Sequence, residues 1–396
     1  MLHNNNYHNY PFQKLDGAIA VGAKFEIKSD DAKNAFVKIE SFLKLHSQQY
    51  CFGYFGYDLK NDIAPLHSQL PDYSEFPSFY FFIPQHILLL KNNSVEIISD
   101  DADKIFEEIN SIENEKTAPT ISIQFQHRTS REKYLSDVNA LQQHIHNGTV
   151  YEINYCQEFF AENISISASD IFTKLNQKNG GPFAAFFKHL QFHVLCTSPE
   201  RFISKQSNTI ISQPIKGTIK RSANEMKDEQ LKNELKNSEK ERAENVMIVD
   251  LVRNDLAQSA ETGTVEVPDL YGIYSFATVH QMISTVTAKA KKNISNIEII
   301  KNAFPMGSMT GAPKYTAIQL IEQYEKTKRG LYSGSVGYFA PDGDFDFNVV
   351  IRTLLYNAEK KYLSYSTGSA ITLDADAAQE YDECLLKATA LFDLFK

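Results

Sequence analysis

The chain has 396 residues, 42% of them hydrophobic, which is enough for one large domain or two ordinary ones. Its 40 basic and 49 acidic residues give a net charge of −9, which argues against a nucleic-acid-binding surface. The polar N-terminus lacks a signal-peptide pattern, and the most apolar stretch, 76–90, is interrupted by two prolines and polar residues. We therefore expect a soluble, cytoplasmic protein with neither nucleic-acid nor membrane partners.

The first third of the chain predicts strands and one amphipathic helix, which spans about 31–46. A glycine-punctuated stretch, 51–58, predicts a buried strand, and 79–90 and 95–99 predict further strands. The polar stretch 114–120 is the best candidate for a joint between two parts of the chain. Four widely spaced cysteines indicate buried free thiols rather than a zinc site or disulfides. They are Cys51, Cys156, Cys196 and Cys384.

The middle of the chain alternates between helix and strand signals. Residues 131–147 predict a helix that Gly148 ends, and 150–159 predict a strand with Glu152 and Asn154 on the same side.

Two β-rich stretches, 192–197 and 209–212, flank a turn at Ser198-Pro-Glu200. Gln213-Pro-Ile-Lys-Gly-Thr-Ile-Lys-Arg221 then leaves the sheet. The charge density of 225–240 predicts a mobile, solvated segment.

Two predicted helices, 238–256 and 379–387, each carry acidic residues on one face, because these residues are spaced three apart. Two acidic faces can converge only if a cation lies between them, since unpaired buried carboxylates are costly. Hard oxygen ligands suit Mg²⁺. The acidic residues are Glu241 and Glu244 in the first helix and Glu380 and Glu383 in the second, where Lys387 lies on the same face.

A loop and a hairpin between these helices supply positive charge. The glycine-punctuated loop 303–314 precedes a helix, so its free amides and Lys314 form a predicted anion site. Its spacing is not that of a nucleotide-binding Walker loop. Residues 332–339 and 344–356 predict a hairpin on which Arg352 points where core residues usually point. Such an arginine either pairs with a carboxylate of the protein or receives one from a ligand.

Six motifs occur in one order: Ser198-Pro-Glu200, Pro214-Ile-Lys-Gly-Thr218, Val249-Asp-Leu-Val-Arg-Asn-Asp255, Gly307-Ser-Met-Thr-Gly-Ala-Pro-Lys314, Ile351-Arg-Thr353, and Gly368-Ser-Ala370 with Glu380-Tyr-Asp-Glu383. Together they resemble the chorismate-utilising enzymes, which comprise anthranilate synthase component I, aminodeoxychorismate synthase component I, isochorismate synthase and salicylate synthase. The resemblance is clear from about 130 to 395 and weak upstream, at 53–58. It implies one α+β or α/β unit, with two large, mostly antiparallel sheets packed face to face and helices outside. Residues 1–120 would form the N-terminal part of this sandwich and 121–396 the chorismate-binding catalytic region.

The resemblance implies that the dianion chorismate is the substrate. Arg352 would bind one carboxylate through two parallel hydrogen bonds, and Mg²⁺ would take the other. Glu244 and Glu383 are the implied direct metal ligands, while Glu241 and Glu380 would act at least partly through water. His280 is expected near the reacting ring as a catalytic residue. The other implied substrate-binding residues are Ser308, Lys314, Tyr332, Gly368, Ser369 and Lys387.

Two positions, Glu152 and Lys216, distinguish the members of the family. Glu200 matches the general acid that helps to expel the ring hydroxyl at C4. Isochorismate and salicylate synthases carry a water-activating lysine at the position of Glu152, and aminating enzymes usually carry Gln there. Glu152 therefore argues against isochorismate or salicylate formation, and it also differs from the glutamine that aminating enzymes usually carry. Lys216 marks the aminodeoxychorismate synthases, because anthranilate synthases usually carry Ala at this position.

The expected activity is conversion of chorismate and ammonia to 4-amino-4-deoxychorismate for p-aminobenzoate and folate synthesis. Lys216 would add to the ring at C2 as the C4 hydroxyl leaves, and ammonia would then attack C4. The sign of its pKa shift stays open, because nearby cations lower the pKa and nearby glutamates raise it. A separate glutamine amidotransferase subunit would supply the ammonia, because the chain has no nucleophilic-cysteine glutaminase motif.

Anthranilate synthase component I is the alternative activity, followed by isochorismate synthase and by a catalytically dead, ligand-sensing subunit. The chain also departs from the family pattern at two sites. Gly368-Ser-Ala370 replaces the usual Gly-Ala-Gly, and Glu244-Asn245 replaces the usual Glu-His. Neither change removes a charged group from the expected mechanism.

Overall fold

Antiparallel strands dominate the computed structural model, which describes residues 1–8, 10–64, 66, 68–91, 94–111 and 122–395. The predicted joint at 114–120 lies outside these residues. Within them the strands are β1 (Leu2–His3), β2 (Gly17–Ser29), β3 (Cys51–Phe55), β4 (Phe79–Lys91), β5 (Ser94–Ile98), β6 (Gln126–His127), β7 (Glu152–Ala161), β8 (Phe183–His189), β9 (Phe192–Ser198), β10 (Arg201–Gln206), β11 (Thr209–Gln213), β12 (Ile215–Lys220), β13 (Glu266–Ser275), β14 (Val279–Lys289), β15 (Gly311–Ala312), β16 (Ser335–Phe339), β17 (Phe345–Asn348), β18 (Thr353–Asn357) and β19 (Tyr362–Ile371).

Helices connect and cover these strands. They are α1 (Ala35–Leu45), α2 (Lys60–Ile63), α3 (Ala102–Ser111), α4 (Arg131–His146), α5 (Ala168–Asn179), α6 (Glu225–Asn237), α7 (Glu239–Ala257), α8 (Asn296–Ala303), α9 (Lys314–Tyr324) and α10 (Ala377–Phe392), with short 3₁₀ turns at Tyr57–Leu59 and Gly307–Met309. No helix in the described part of the chain is long and apolar enough to cross a membrane.

The strands form one continuous antiparallel ladder with two halves. The first half runs β14–β11–β10–β17–β16–β3–β4, and β12 and β13 both pair with β14. The second half runs β8–β9–β18–β19–β7. Strands β2 and β1 join the two halves, because β2 pairs with β4 and β1 pairs with both β2 and β8. The two sheets expected from the family resemblance are therefore the halves of a single ladder.

The two halves pack face to face through an aromatic core. The largest core cluster contains Phe81 and Phe202 from the first half and Val194 from the second. The rings of Tyr54 and Phe187 meet edge to face across the two halves, with centroids 5.4 Å apart. All four cysteines are buried free thiols, as predicted. A second cluster fixes α5 and α10 against the other face of the second half.

Residues 225–240 are not the mobile segment that their charge density predicts. They form α6 and the start of α7. The Asn224 side chain caps α6 by accepting a hydrogen bond from the Lys227 amide at 3.0 Å. Leu235 is buried, and Asp228 pairs with Arg221 at 2.8 Å. One apolar anchor, one cap and one ion pair therefore order a segment whose composition is otherwise that of a solvated run.

The predicted hairpin is correct only for its first two strands, β16 and β17. The chain leaves the sheet after Asn348, and Arg352 adopts a left-handed φ of 53° before β18 begins. The Arg352 carbonyl accepts hydrogen bonds from the Thr197 amide at 3.2 Å and the Thr197 hydroxyl at 3.0 Å. Arg352 therefore does not alternate with core residues along a strand, and its orientation is set by this turn.

Candidate active site

The site lies where the two ends of the strand ladder meet. Lys216 is on β12, at the end of the first half, and Glu152 begins β7, at the end of the second. Lys216 Nζ donates a hydrogen bond to Glu152 Oε1 at 2.5 Å, and the Lys216 side chain is 11% exposed. Gly217 follows with φ of 91°, and a Cβ there would lie 3.0 Å from Glu241 Oε2. Glycine at this position therefore lets the acidic start of α7 approach the strand that carries Lys216.

Opposing effects act on the pKa of Lys216. Burial lowers the pKa, but Glu152 raises it through charge and a hydrogen bond, and Glu244 and Glu200 add to this. The net direction is upward, so the glutamates decide the sign that the sequence leaves open. Lys216 is therefore an ammonium in this arrangement and has to lose a proton before it can act as a nucleophile.

Glu200 is a buried carboxyl group held in the turn between β9 and β10. Its amide donates a hydrogen bond to Ser198 Oγ at 3.1 Å. Burial raises the pKa of Glu200 to about 7, against the opposing effects of a Ser308 hydrogen bond, Lys216 and the Ile215 amide. A carboxyl group with this pKa is half protonated at neutral pH, as a general acid requires.

The predicted metal ligands lie at the N-terminal ends of α7 and α10. Ser238 caps α7 by accepting a hydrogen bond from the Glu241 amide at 3.3 Å. Burial raises the pKa of Glu241 and of Glu380, and it raises the pKa of Glu244 to about 7. The pKa of Glu383 is lowered despite burial, because Lys387 pairs with it at 2.7 Å.

The four glutamate side chains are of the kind that binds a divalent cation, although they do not converge on one point. Among the described residues, no group of three or more His, Cys, Asp or Glu side chains is arranged to hold a metal ion. The charges of Glu241 and Glu380 nevertheless both interact with that of Glu383. Burial is the main cause of the raised pKa values of Glu241, Glu244 and Glu380, and lysines oppose it at each of them. Oxygen ligands with unsatisfied negative charge are the kind that Mg²⁺ prefers, and these side chains would have to close around it.

A cationic cleft adjoins the acidic surface. Arg352 and Lys387 line it together with Gln281 and Tyr365. Lys387 Nζ also donates a hydrogen bond to the Gly368 carbonyl at 2.9 Å. Arg352 and Lys387 reach the cleft from different elements, and Lys387 would have to give up its pairing with Glu383 to bind a carboxylate there.

Close packing fixes the end of β19 beside this cleft. A Cβ at Gly368 would lie 2.6 Å from Cys156 Sγ, so a larger residue would displace that side chain. Ser369 Oγ shares a hydrogen bond with the Tyr134 hydroxyl at 2.8 Å and interacts with Glu380. Gly368-Ser-Ala370 thus keeps the first glycine of the Gly-Ala-Gly pattern, which packs against Cys156, and Ser369 contacts the predicted metal ligand Glu380.

Comparison with known proteins identifies the group to which this site belongs. Residues 4–393 match the family model of the chorismate binding enzymes. The chain belongs to this family. It is 35% identical to aminodeoxychorismate synthase component 1 of Klebsiella aerogenes over 344 residues, covering 86% of this chain and 75% of that protein. It is 40% identical over 264 residues to the chloroplastic aminodeoxychorismate synthase of Arabidopsis thaliana, covering 66% of this chain and 28% of that protein.

Solved structures of the family share the fold. Anthranilate synthase component I from Streptococcus pneumoniae superposes with a TM-score of 0.85 at 22% identity, covering 98% of this chain and 94% of that chain. The menaquinone-specific isochorismate synthase of Escherichia coli superposes with a TM-score of 0.77 at 17% identity, covering 96% of this chain and 86% of that chain. The expected fold is therefore confirmed. The chain spans less than a third of the plant relatives it matches, 28% in Arabidopsis and 29% in Oryza sativa.

His280 has the surroundings of a packed histidine. It is buried in β14, where Nδ1 shares a hydrogen bond with Ser275 Oγ at 2.8 Å. Its Nε2 lies 3.1 Å from the Asp228 carboxylate of α6. The next residue, Gln281, lines the cationic cleft instead. A catalytic role for His280 stays a prediction, and its charge partner belongs to a helix that the sequence did not predict.

Lys314 and Tyr332 are more enclosed than a ligand-binding role suggests. Lys314 Nζ donates to Asp255 at 2.7 Å and to the Ala303 carbonyl at 2.9 Å, so its charge is already paired. The Tyr332 hydroxyl lies 3.9 Å from Cys156 Sγ and is buried. Substrate binding by these two residues stays a prediction.

Sequence reasoning missed a buried ion pair that supports the site. Arg329 donates to the Met309 carbonyl at 2.6 Å and to the Asn154 carbonyl at 2.9 Å. It also pairs with Glu325, which accepts a hydrogen bond from the Cys156 amide at 2.9 Å. The pair fixes the Ser308 turn against β7. The i,i+4 spacing of Glu325 and Arg329 could have indicated this ion pair from the sequence, but pairs with this spacing are more often exposed.

Proposed function

We propose that the chain is component 1 of an aminodeoxychorismate synthase, a transferase that aminates chorismate to 4-amino-4-deoxychorismate. The observation that carries this proposal is Lys216, a buried amine within reach of the general acid candidate Glu200 and the predicted metal ligand Glu244. Relatives that bear this name, from Klebsiella aerogenes and Escherichia coli, support it. The product would serve p-aminobenzoate and folate synthesis in the cytoplasm.

Lys216 and Glu200 perform the first chemical step. The Lys216 amine forms a bond to C2, the two ring double bonds each shift by one position, and the C4–oxygen bond breaks. Glu200 gives its proton to the departing hydroxyl, which leaves as water. Ammonia then attacks C4, the double bonds shift back, and the lysine leaves C2. The ammonium formed at C4 returns a proton to Glu200, so protons and charges balance.

The remaining site residues bind and orient the dianion. Arg352 and Lys387 receive one carboxylate in the cationic cleft. Glu244 and Glu383 would hold Mg²⁺ directly, with Glu241 and Glu380 acting through water, and the ion would neutralise the other carboxylate. Ser308 lies beside Glu200 and keeps that acid oriented.

Ammonia would come from a glutamine amidotransferase subunit, as the component naming of the relatives suggests. The four cysteines are buried, and burial raises the pKa of the Cys196 thiol to about 11. A buried neutral thiol is a poor nucleophile, which agrees with a glutaminase activity on another chain.

The test is incubation of the purified chain with chorismate, Mg²⁺ and ammonium, followed by mass and fragmentation of the product. We expect 4-amino-4-deoxychorismate from the wild type and its loss in Lys216→Ala. Anthranilate with pyruvate would show the alternative amination, and isochorismate would show hydration. Either product as the main one, or no turnover at all, would contradict the proposed function.

A further inference from the structure

Glu152 is held in place by its backbone on both sides. It begins β7 opposite Ala312 of β15, and the preceding amide, that of Tyr151, donates to the Ala312 carbonyl at 2.7 Å. A Cβ at Gly311 would lie 2.2 Å from the Glu152 carbonyl, so the two backbones are in close contact. The Glu152 residue is 1% exposed. Its carboxylate therefore has little freedom to turn away from Lys216.

The two oxygens of the Glu152 carboxylate have different surroundings. Oε1 accepts the short hydrogen bond from Lys216. Oε2 is buried and has no hydrogen-bond partner among the described residues. Oε2 can therefore accept a proton without breaking an existing hydrogen bond.

The other acids that face Lys216 have different tasks. The charges of Glu200, Glu241, Glu244 and Glu383 interact with that of Lys216, as does the charge of Glu152. Glu200 has to hold a proton until the C4 hydroxyl leaves, so it cannot also accept one from the nucleophile. Glu241, Glu244 and Glu383 are predicted ligands of Mg²⁺. Glu152 alone among the five is both hydrogen-bonded to the amine and free of another role.

We propose that Glu152 positions the Lys216 amine and takes its proton as that amine attacks C2. This inference rests on the proposed function. The Lys216 ammonium gives one proton to the Glu152 carboxylate, and the nitrogen lone pair that this frees forms the bond to C2. When ammonia expels the lysine, the amine takes the same proton back from Glu152. A glutamine at this position could orient the amine but could not accept its proton.

Glu152→Gln is the direct test, because it keeps the shape and removes the base. Rates are measured from pH 6 to 9 at constant free ammonia, with Glu162→Gln, at an exposed position directly after the same strand, as the matched control. We expect a loss of roughly 100-fold in kcat at pH 7 for Glu152→Gln and none for the control. Both enzymes keep Glu200, so the ratio of variant kcat to wild-type kcat does not change as Glu200 ionises. It should rise about tenfold per pH unit, because the variant depends on the spontaneously neutral amine.

A second measurement does not depend on activity. Competitive acetylation of lysines by acetic anhydride across the pH range, read by mass spectrometry, gives the protonation midpoint of Lys216. We expect this midpoint to fall in Glu152→Gln, because burial remains while the carboxylate is gone. An unchanged midpoint, or wild-type kcat in the variant at pH 7, would overturn the proposal. Failure of the wild type to make the 4-amino product would instead overturn the proposed function, and the labelling would still report on the ion pair.

Discussion

Replacing Glu200 by Gln tests the general acid and has two measurable consequences. Glutamine keeps the shape of the side chain but cannot give a proton to the C4 hydroxyl. Removal of a positioned general acid lowers kcat by roughly 10²- to 10⁴-fold. The wild-type pKa of about 7 adds a pH signature, since about half of Glu200 is protonated at pH 7 and about a tenth at pH 8. Wild-type activity should therefore fall towards tenfold per pH unit above pH 7.

The same pKa predicts a stability effect. Burial raises the pKa of Glu200 from 4.5 to about 7, so the folded state resists its ionisation. Ionised Glu200 lowers the free energy of unfolding at pH values above its pKa in the folded state. This effect vanishes below its pKa in the unfolded state, near 4.5. A shift of this size corresponds to about 3 kcal/mol at pH 8. Glu200→Gln should therefore unfold at higher urea concentration than the wild type at pH 8 and at nearly the same concentration at pH 4.

The assay is initial rate at saturating chorismate and constant free ammonia, with urea unfolding of the same samples. Ser308→Ala is the matched control, because its hydroxyl lowers the pKa of Glu200. Loss of that hydrogen bond should move the alkaline decline to higher pH without removing the acid. A pH-independent rate in the wild type, or full kcat in Glu200→Gln, would refute the role of Glu200.

Three further substitutions or treatments test the rest of the site. Lys216→Ala should bind chorismate normally but lose most of the 4-amino product. Lys216→Arg should not restore the product, because guanidinium stays protonated. Formation of the product at wild-type rate by Lys216→Ala would exclude the covalent step. Glu244→Gln or Glu383→Gln should abolish turnover, and excess chelator should do the same to the wild type; full activity in chelator would exclude the metal. The purified chain should use ammonium but not glutamine as nitrogen source, and glutamine-dependent product would argue against a separate amidotransferase.

Local signals predicted the elements that carry the site. The sequence places the central helix at 238–256, and the structure has it at Glu239–Ala257 with Ser238 as its cap. The spacing within this helix and within α10 correctly placed the glutamates on common faces. Capping, periodicity and spacing are local properties, which is why they can be found without the fold.

Relations between distant segments could not be predicted in the same way. The Lys216–Glu152 hydrogen bond joins residues 64 apart, and it exists because opposite ends of the ladder meet. Arg352 lies in a left-handed turn between two strands, whereas its apolar neighbours suggested one unbroken strand. The ordering of α6 depends on the Arg221–Asp228 contact and a single buried leucine. For Lys216 and Arg352 the deciding partner lies outside the window in which sequence periodicity is judged.

The balance of charge in the site links the metal to the substrate. The acidic groups are Glu152, Glu200, Glu241, Glu244, Glu380 and Glu383, and the cations are Lys216, Lys240, Arg352 and Lys387. Even with Glu200 protonated, carboxylates exceed cations before a dianion arrives. Two unit charges 4 Å apart interact by about 4 kcal/mol at an effective dielectric constant of about 20, so each uncompensated carboxylate opposes chorismate strongly. A divalent cation would reverse that opposition on the acidic side, while Arg352 and Lys387 would act on the other. A metal that lowers the free energy of substrate binding must in turn be bound more tightly, by the same factor, when the substrate is present.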